Sequence, residues 1–169
     1  MLDTLARIGK SGFYWLALVL AGIAAEAVAL FYQHVLDEMP CVLCIQVRLW
    51  VMALILVALT VLLLRRLRFA PVAGHLLTVV IAAGLLERAY QLLGTERRFL
   101  KGECGFDLGL PAWFTPDQWF PAMFRVETTC GYTPELLFGI TMAEALIVAS
   151  GVFVLLSVAM TVAAIARRR

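Results

Sequence analysis

Two cysteines with two residues between them, Cys41 and Cys44, are the first candidates for chemistry in this chain of 169 residues. They follow Pro40 and precede a long apolar run, so the pair is expected at the N-terminus of a helix. A helix N-terminus carries partial positive charge and favours a thiolate, which is the form of cysteine that attacks disulfides. The spacing therefore predicts a pair that cycles between dithiol and disulfide.

A second, distant pair is formed by Cys104 and Cys130, with 25 residues between them. A disulfide closing this loop would stabilise it by roughly 3–4 kcal/mol, so a purely structural bond is an alternative to a redox role. Zinc is the other alternative, but four-cysteine zinc sites usually have two closely spaced pairs, and only one is present here. We therefore expect no metal. Four cysteines allow three pairings, and the residues alone leave the resting pairing open.

Arg48 lies four residues after Cys44, which places both side chains on one face of a helix. A cation at this position would favour a Cys44 thiolate and would also stabilise a reduced, anionic acceptor within the membrane. The alternative is an arginine that extends to the membrane interface, which is common near helix ends.

The composition indicates that these residues lie in a membrane protein. Hydrophobic residues make up 63% of the chain and charged residues 15%, and the mean hydropathy is +0.92. Four apolar runs, 13–32, 45–64, 72–93 and 136–166, are long enough to cross a bilayer as helices. We predict a single all-α membrane domain over residues 1–169, a four-helix bundle with a short cysteine loop (33–44) and a long cysteine-bearing loop (94–135).

The basic residues of the termini and short loops predict the orientation of the bundle. An even number of spans puts three basic clusters on one side, which should be the cytoplasm. The clusters are Arg7 with Lys10, Arg65 with Arg66 and Arg68, and Arg167–Arg169. All four cysteines then lie on the opposite, oxidising side. The net charge of +2 gives no reason to expect a nucleic-acid partner.

The N-terminal run also meets the loose criteria of a cleaved signal peptide, because a basic start and an apolar stretch precede Ala25-Glu26-Ala27. The apolar run continues beyond Glu26, so we expect a retained first span.

Three motifs together resemble the disulfide bond formation protein B (DsbB) family of bacterial membrane thiol oxidases. They are Gln33-His34-Val35, then Pro40-Cys41-Val42-Leu43-Cys44 followed by Arg48, and Asp117-x-Trp119-x-Pro121-x-x-Phe124 ahead of Cys130. The resemblance covers nearly the whole chain. It implies an enzyme of the bacterial inner membrane, with both termini cytoplasmic and the cysteines in the periplasm, that reoxidises a DsbA-like thioredoxin-fold oxidase and reduces membrane quinone.

The resemblance also implies a role for each cysteine. The reduced partner would attack Cys104 and release Cys130, which would then attack Cys41 and leave Cys44 as a thiolate facing the quinone. Arg48 would hold and polarise the quinone, for which ubiquinone is expected and menaquinone is the alternative. Two other readings remain: a disulfide-stabilised scaffold or sensor without turnover, and a membrane enzyme of the vitamin K epoxide reductase type.

Other polar residues near the membrane are weaker candidates. Glu26, inside span one, resembles a glutamate of the family near the quinone pocket, although a protonated, hydrogen-bonded carboxyl would explain it equally well. His34 is expected to be a surface residue without function, and His75 is given no role. Glu87 and Arg88 are expected to be ordinary interfacial residues that pair with one another or contact the long loop.

The long loop contains an aromatic stretch between its cysteines, which includes Trp113, Phe114, Trp119, Phe120 and Phe124. Prolines interrupt it too often for a membrane span. We expect a short horizontal helix on the outer membrane surface, with a small soluble core within the loop as the alternative.

Overall fold

The computed structural model describes residues 2–67, 69–100, 105–137 and 139–166, and only the backbone of residues 2 and 137. Its elements are α1 (Leu2–Lys10), α2 (Gly12–Val35), α3 (Val42–Leu64), α4 (Ala70–Glu96), α5 (Pro116–Trp119), α6 (Pro121–Phe124), β1 (Glu135–Leu137), β2 (Ile140–Thr141) and α7 (Met142–Ala166). Helices α2, α3, α4 and α7 are long and apolar enough to cross a membrane. The predicted all-α four-helix membrane fold is confirmed.

The four long helices pack in a simple order. Helix α2 packs on α3, α3 on α4, and α4 on α7, while the short helix α1 packs on α7 and α2. Large apolar side chains such as Leu20, Leu56, Val80 and Leu155 are exposed on the outside of the bundle. This is the pattern of a bundle whose outer surface contacts lipid.

The start of the fourth helix differs from the prediction. The apolar run begins at residue 136, but α7 begins at Met142, and the antiparallel strands β1 and β2 precede it. A capping box fixes the boundary, since Glu144 N donates to Thr141 Oγ1 (3.3 Å) and Thr141 N donates to Glu144 Oε2 (3.1 Å). Hydropathy alone included the apolar hairpin in the span.

The ends of α2 and α3 also differ from the predicted loop boundaries. Gln33 and His34 belong to the last turn of α2, and Cys44 belongs to the first turn of α3. Only residues 36–41 therefore connect these two helices. Because both helices extend toward the cysteines, the side chains of Gln33 and Cys44 occupy fixed positions on helices and not on a mobile loop.

His75 has a structural role at the end of the bundle away from the cysteines. Its buried ring has Nε2 3.2 Å from Gly9 O, which also accepts a hydrogen bond from Trp15 Nε1 (3.0 Å). A Cβ at residue 9 would come within 2.7 Å of the His75 ring, so glycine is required for this close approach. These contacts attach α1 to the bundle.

The aromatic part of the long loop forms two single helical turns, α5 and α6, and not one continuous helix. Each turn begins with a proline, and the chain changes direction at Phe120 between them. Phe124 is buried in the core around the cysteine pair, whereas Trp113 and Trp119 are exposed. A position of the exposed rings at the membrane surface stays a prediction.

Candidate functional site

The Cys41–Cys44 pair lies at the N-terminus of α3, where it was predicted. Cys41 is the N-cap, and its Sγ accepts a hydrogen bond from Cys44 N at 3.4 Å. Both cysteines are free thiols, with their sulfurs 2.8 Å apart. The hydrogen bond from the Cys44 side chain lowers the pKa of the Cys41 thiol despite its burial. When both cysteines are reduced, this arrangement favours the negative charge on Cys41.

A cavity of about 420 Å³ lies beside this pair, between α2, α3 and α7. Its walls are mostly apolar and include small residues such as Ala25 of α2 and Ala149 of α7. The polar side chains at its wall include Cys44, Arg48, Glu26 and Gln33. Cys44 therefore borders the cavity, whereas Cys41 is packed into the hydrophobic cluster that contains Leu108 and Phe124.

Arg48 is held inside the protein by three hydrogen bonds. Its Nη1 donates to Gln33 Oε1 (2.5 Å) and to Met123 O (2.8 Å), and its Nη2 donates to Ala29 O (3.0 Å). The residue is only 6% exposed, so its side chain is enclosed by protein. A guanidinium has five N–H donors. Three of those of Arg48 donate to the described residues. The remaining donors are available to a ligand in the cavity.

Glu26 is another ionisable residue of the cavity wall. It is 6% exposed, and neither carboxyl oxygen has a hydrogen-bond partner within the described part of the chain. The structure therefore does not show the hydrogen-bonded carboxyl that was the alternative interpretation of Glu26. A buried carboxyl without partners is costly, and a ligand in the cavity that accepts or donates a hydrogen bond would remove that cost.

The end of α2 holds the long loop above the cavity. His34 Nε2 lies 2.9 Å from Ala122 O, and Arg48 bonds to the next carbonyl, that of Met123. His34 is exposed, as expected for a surface residue, and its ring contacts a residue 88 positions away. The motif Gln33-His34 and the segment Pro121–Phe124, which the sequence separates widely, thus lie side by side.

The segment that leads to Cys130 runs along the short cysteine loop. Glu127 N and Thr128 N donate to Pro40 O, at 3.0 and 3.4 Å, and Thr128 forms a parallel bridge with Cys41. Cys130 is disulfide-bonded and packs against the cluster that contains Cys41. Cys104 lies outside the described residues. Backbone hydrogen bonds thus place the disulfide-bonded Cys130 near the Cys41–Cys44 thiol pair.

The structure thus combines a cysteine pair at a cavity within the helix bundle with Cys130 packed against the same cluster. The sequence model of the family described as "Disulfide bond formation protein DsbB" matches residues 11–160. The chain belongs to the DsbB family.

Individual relatives agree with this assignment. "Disulfide bond formation protein B" of Shewanella loihica is 32% identical, over 97% of this chain and 96% of the relative. "Disulfide bond formation protein B 2" of Pseudomonas aeruginosa is 33% identical, over 77% of this chain and 78% of the relative. "Disulfide bond formation protein B" of Haemophilus influenzae strain 86-028NP is 28% identical, over 100% of this chain and 96% of the relative. This DsbB-family member is accordingly a multi-pass membrane oxidoreductase of disulfide bond formation.

Proposed function

We propose that this DsbB-family protein oxidises the dithiol of a DsbA-like, thioredoxin-fold partner and passes the electrons to membrane quinone. The observation that carries the proposal is that Cys44 and Arg48 border one mostly apolar cavity within the bundle. An acceptor in that cavity is within reach of a cysteine sulfur and of a fixed positive charge. The same redox pair is connected through Cys41 to the segment that holds Cys130.

The residues of the cavity fit a quinone. A quinone presents two carbonyl oxygens on an otherwise apolar ring, and Arg48 has unused N–H donors for one of them. Glu26 has no hydrogen-bond partner among the described residues, so its carboxyl is free to form a hydrogen bond with a quinone oxygen. Ubiquinone and menaquinone share this carbonyl pattern, and ubiquinone is our first expectation. When bound, the quinone supplies an acceptor for two electrons and two protons.

Thiol–disulfide exchange brings the electrons to the cavity. A partner thiolate attacks Cys104 Sγ, a partner–Cys104 bond forms, and the Cys104–Cys130 bond breaks, leaving the electron pair on Cys130. The Cys130 thiolate then attacks Cys41 Sγ, and the Cys41–Cys44 bond breaks. The electron pair now lies on Cys44, the one cysteine of the pair that borders the cavity. Arg48 stabilises that charge. The partner's second thiolate attacks the partner–Cys104 bond, so that the partner leaves oxidised, and the released Cys104 thiolate can reform the bond to Cys130 and set Cys41 free.

For the membrane arrangement, we propose one domain over residues 1–169 in the bacterial inner membrane, with both termini in the cytoplasm. The basic clusters at the ends of the helices away from the cysteines support this orientation. An impermeant thiol reagent added to intact cells under reducing conditions should label Cys104 and Cys130. Protection of both residues would reverse the orientation.

Turnover of the purified protein in lipid nanodiscs tests the proposed function. With a reduced DsbA-like partner and a soluble ubiquinone analogue, one partner disulfide should form for each quinone reduced. Cys44→Ser should remove quinone reduction, because the sulfur next to the cavity is lost. A scaffold or sensor with inert disulfides would consume neither substrate, and that result would contradict the proposal.

A further inference from the structure

A chain of hydrogen bonds connects α4 to the long loop through α3. Arg88 Nη1 donates to Gln46 Oε1 (3.0 Å) and to Gln91 Oε1 (3.1 Å), and its Nε lies 3.0 Å from Glu87 Oε2. Gln46 Nε2 donates in turn to Leu108 O (3.0 Å), 62 residues away in the chain. Arg88 is thus paired with Glu87, as the sequence suggested, but it also supports a contact to the loop.

Arg88 determines which way the Gln46 amide points. A guanidinium has only donors, so it requires the amide oxygen on its side. The NH₂ group of Gln46 is then directed toward the loop, where the carbonyl of Leu108 accepts it. If the amide were reversed, donors would face the guanidinium and an oxygen would face a carbonyl. Arg88 therefore acts on the loop through Gln46.

Leu108 packs in the buried cluster around Cys41. Its side chain is 6% exposed and belongs to the same buried cluster as Cys41 and Phe124, and Cys130 packs against that cluster. It lies four residues after Cys104. The loop is thus held at two points: Gln46 bonds to Leu108, ahead of the aromatic stretch, and Arg48 bonds to Met123, near the end of that stretch.

We propose that Gln46 and Arg88 are positioning residues for the transfer of the disulfide from Cys41–Cys44 to Cys41–Cys130, an inference that rests on the function proposed above. In this step the Cys130 thiolate forms a bond to Cys41 Sγ, and the electron pair of the broken Cys41–Cys44 bond stays on Cys44. Once the partner has opened the bond to Cys104, that covalent constraint on the loop is gone. The Gln46–Leu108 bond then keeps Leu108 in the cluster against which Cys130 packs.

The effective concentration of Cys130 at Cys41 measures this positioning without partner or quinone. In the Cys44→Ser, Cys104→Ser protein, only Cys41 and Cys130 remain, and equilibration in glutathione buffers gives the fraction that forms a disulfide. Gln46→Met and Arg88→Met should each lower the effective concentration about five- to tenfold, which corresponds to one lost hydrogen bond. Arg88→Lys should recover part of the loss, because lysine still donates to Gln46 Oε1.

Gln91→Met is the matched control. Gln91 accepts from the same Arg88 nitrogen at nearly the same distance as Gln46, but its amide donates to Glu87 and not to the loop. Its replacement should leave the effective concentration at the parent value. If Gln46→Met does not fold, Gln46→Glu serves instead, since a carboxylate accepts from Arg88 but has no N–H for Leu108; it should also lower the value.

The outcomes separate the two proposals. Suppose that the parent protein forms the Cys41–Cys130 bond readily. If Gln46→Met or Gln46→Glu then leaves the effective concentration unchanged, only the positioning role is overturned. An equal loss in Gln91→Met also overturns it, since the effect would then not depend on the loop contact. A parent protein that does not form the bond contradicts the proposed relay itself, and the positioning role with it.

Discussion

Replacement of Cys130 by serine should stop turnover and trap the partner on this protein as a mixed disulfide through Cys104. The partner thiolate still needs a disulfide to attack, so the experiment starts from Cys130→Ser protein whose Cys104 carries a small disulfide-linked leaving group such as glutathione. Attack on the Cys104 sulfur forms a partner–Cys104 disulfide and releases glutathione; with the partner's second active-site cysteine replaced by serine, neither that thiol nor Cys130 remains to break the bond. A non-reducing gel should show a band at the summed mass of the two proteins.

The paired variant Cys104→Ser, loaded in the same way on Cys130, is the control for this trap. With Cys41 and Cys44 reduced, its adduct should be transient, because Cys41 lies beside Cys130, where Thr128 and Pro40 hold the segment. The Cys41 thiolate attacks Cys130, forms the Cys41–Cys130 bond and releases the partner thiolate. Equal adduct lifetimes in the two variants would contradict the order of the relay. No adduct in either variant would support the scaffold interpretation.

Replacement of Arg48 by methionine should slow quinone reduction by about 10²–10³-fold, the usual loss when one preorganised charge-stabilising donor is removed. The apparent KM for quinone should also rise, because the unused N–H donors of Arg48 are the expected contacts of a quinone carbonyl. Arg48→Lys should recover only part of the rate, since lysine keeps the charge but lacks the planar set of donors. Rates measured over a range of quinone concentrations separate affinity from turnover.

Arg48 also bonds to Met123 O, so its loss removes one anchor of the long loop. His34→Ala is the matched control, because His34 bonds to the adjacent carbonyl, that of Ala122, from an exposed position. It should leave the quinone kinetics near those of the unsubstituted protein. Unchanged quinone kinetics in folded Arg48→Met, or an equal loss in His34→Ala, would mean that Arg48 acts only as a structural anchor.

The part of the fold and site that depends on short sequence separation was predictable. The length of each apolar run predicted the four membrane helices. The four-residue spacing of Cys44 and Arg48 predicted that both side chains lie on one face of a helix, and both line the same cavity. The start of α7 was missed because hydropathy does not distinguish an apolar hairpin from a helix. Thr141-x-x-Glu144 is a capping-box pattern that would have indicated the boundary.

The contacts that hold the long loop were not predictable from spacing. His34 with Ala122 and Gln46 with Leu108 join residues that are 88 and 62 positions apart. Both involve a backbone carbonyl as acceptor, which every residue has, so no residue type at the other end of the chain reveals the partner. Gln33 was part of the motif that resembled the family, but its bond to Arg48 became visible only when α2 and α3 were placed together.

The central claim is that the Cys41–Cys44 pair delivers electrons directly to quinone in the adjacent cavity. It is tested by the Cys104→Ser, Cys130→Ser protein, fully reduced and mixed with ubiquinone analogue without oxygen or partner. The expected result is a Cys41–Cys44 disulfide in each molecule, with one quinone reduced per protein. Free thiols after prolonged incubation with excess quinone, in a protein that retains its fold, would contradict the account.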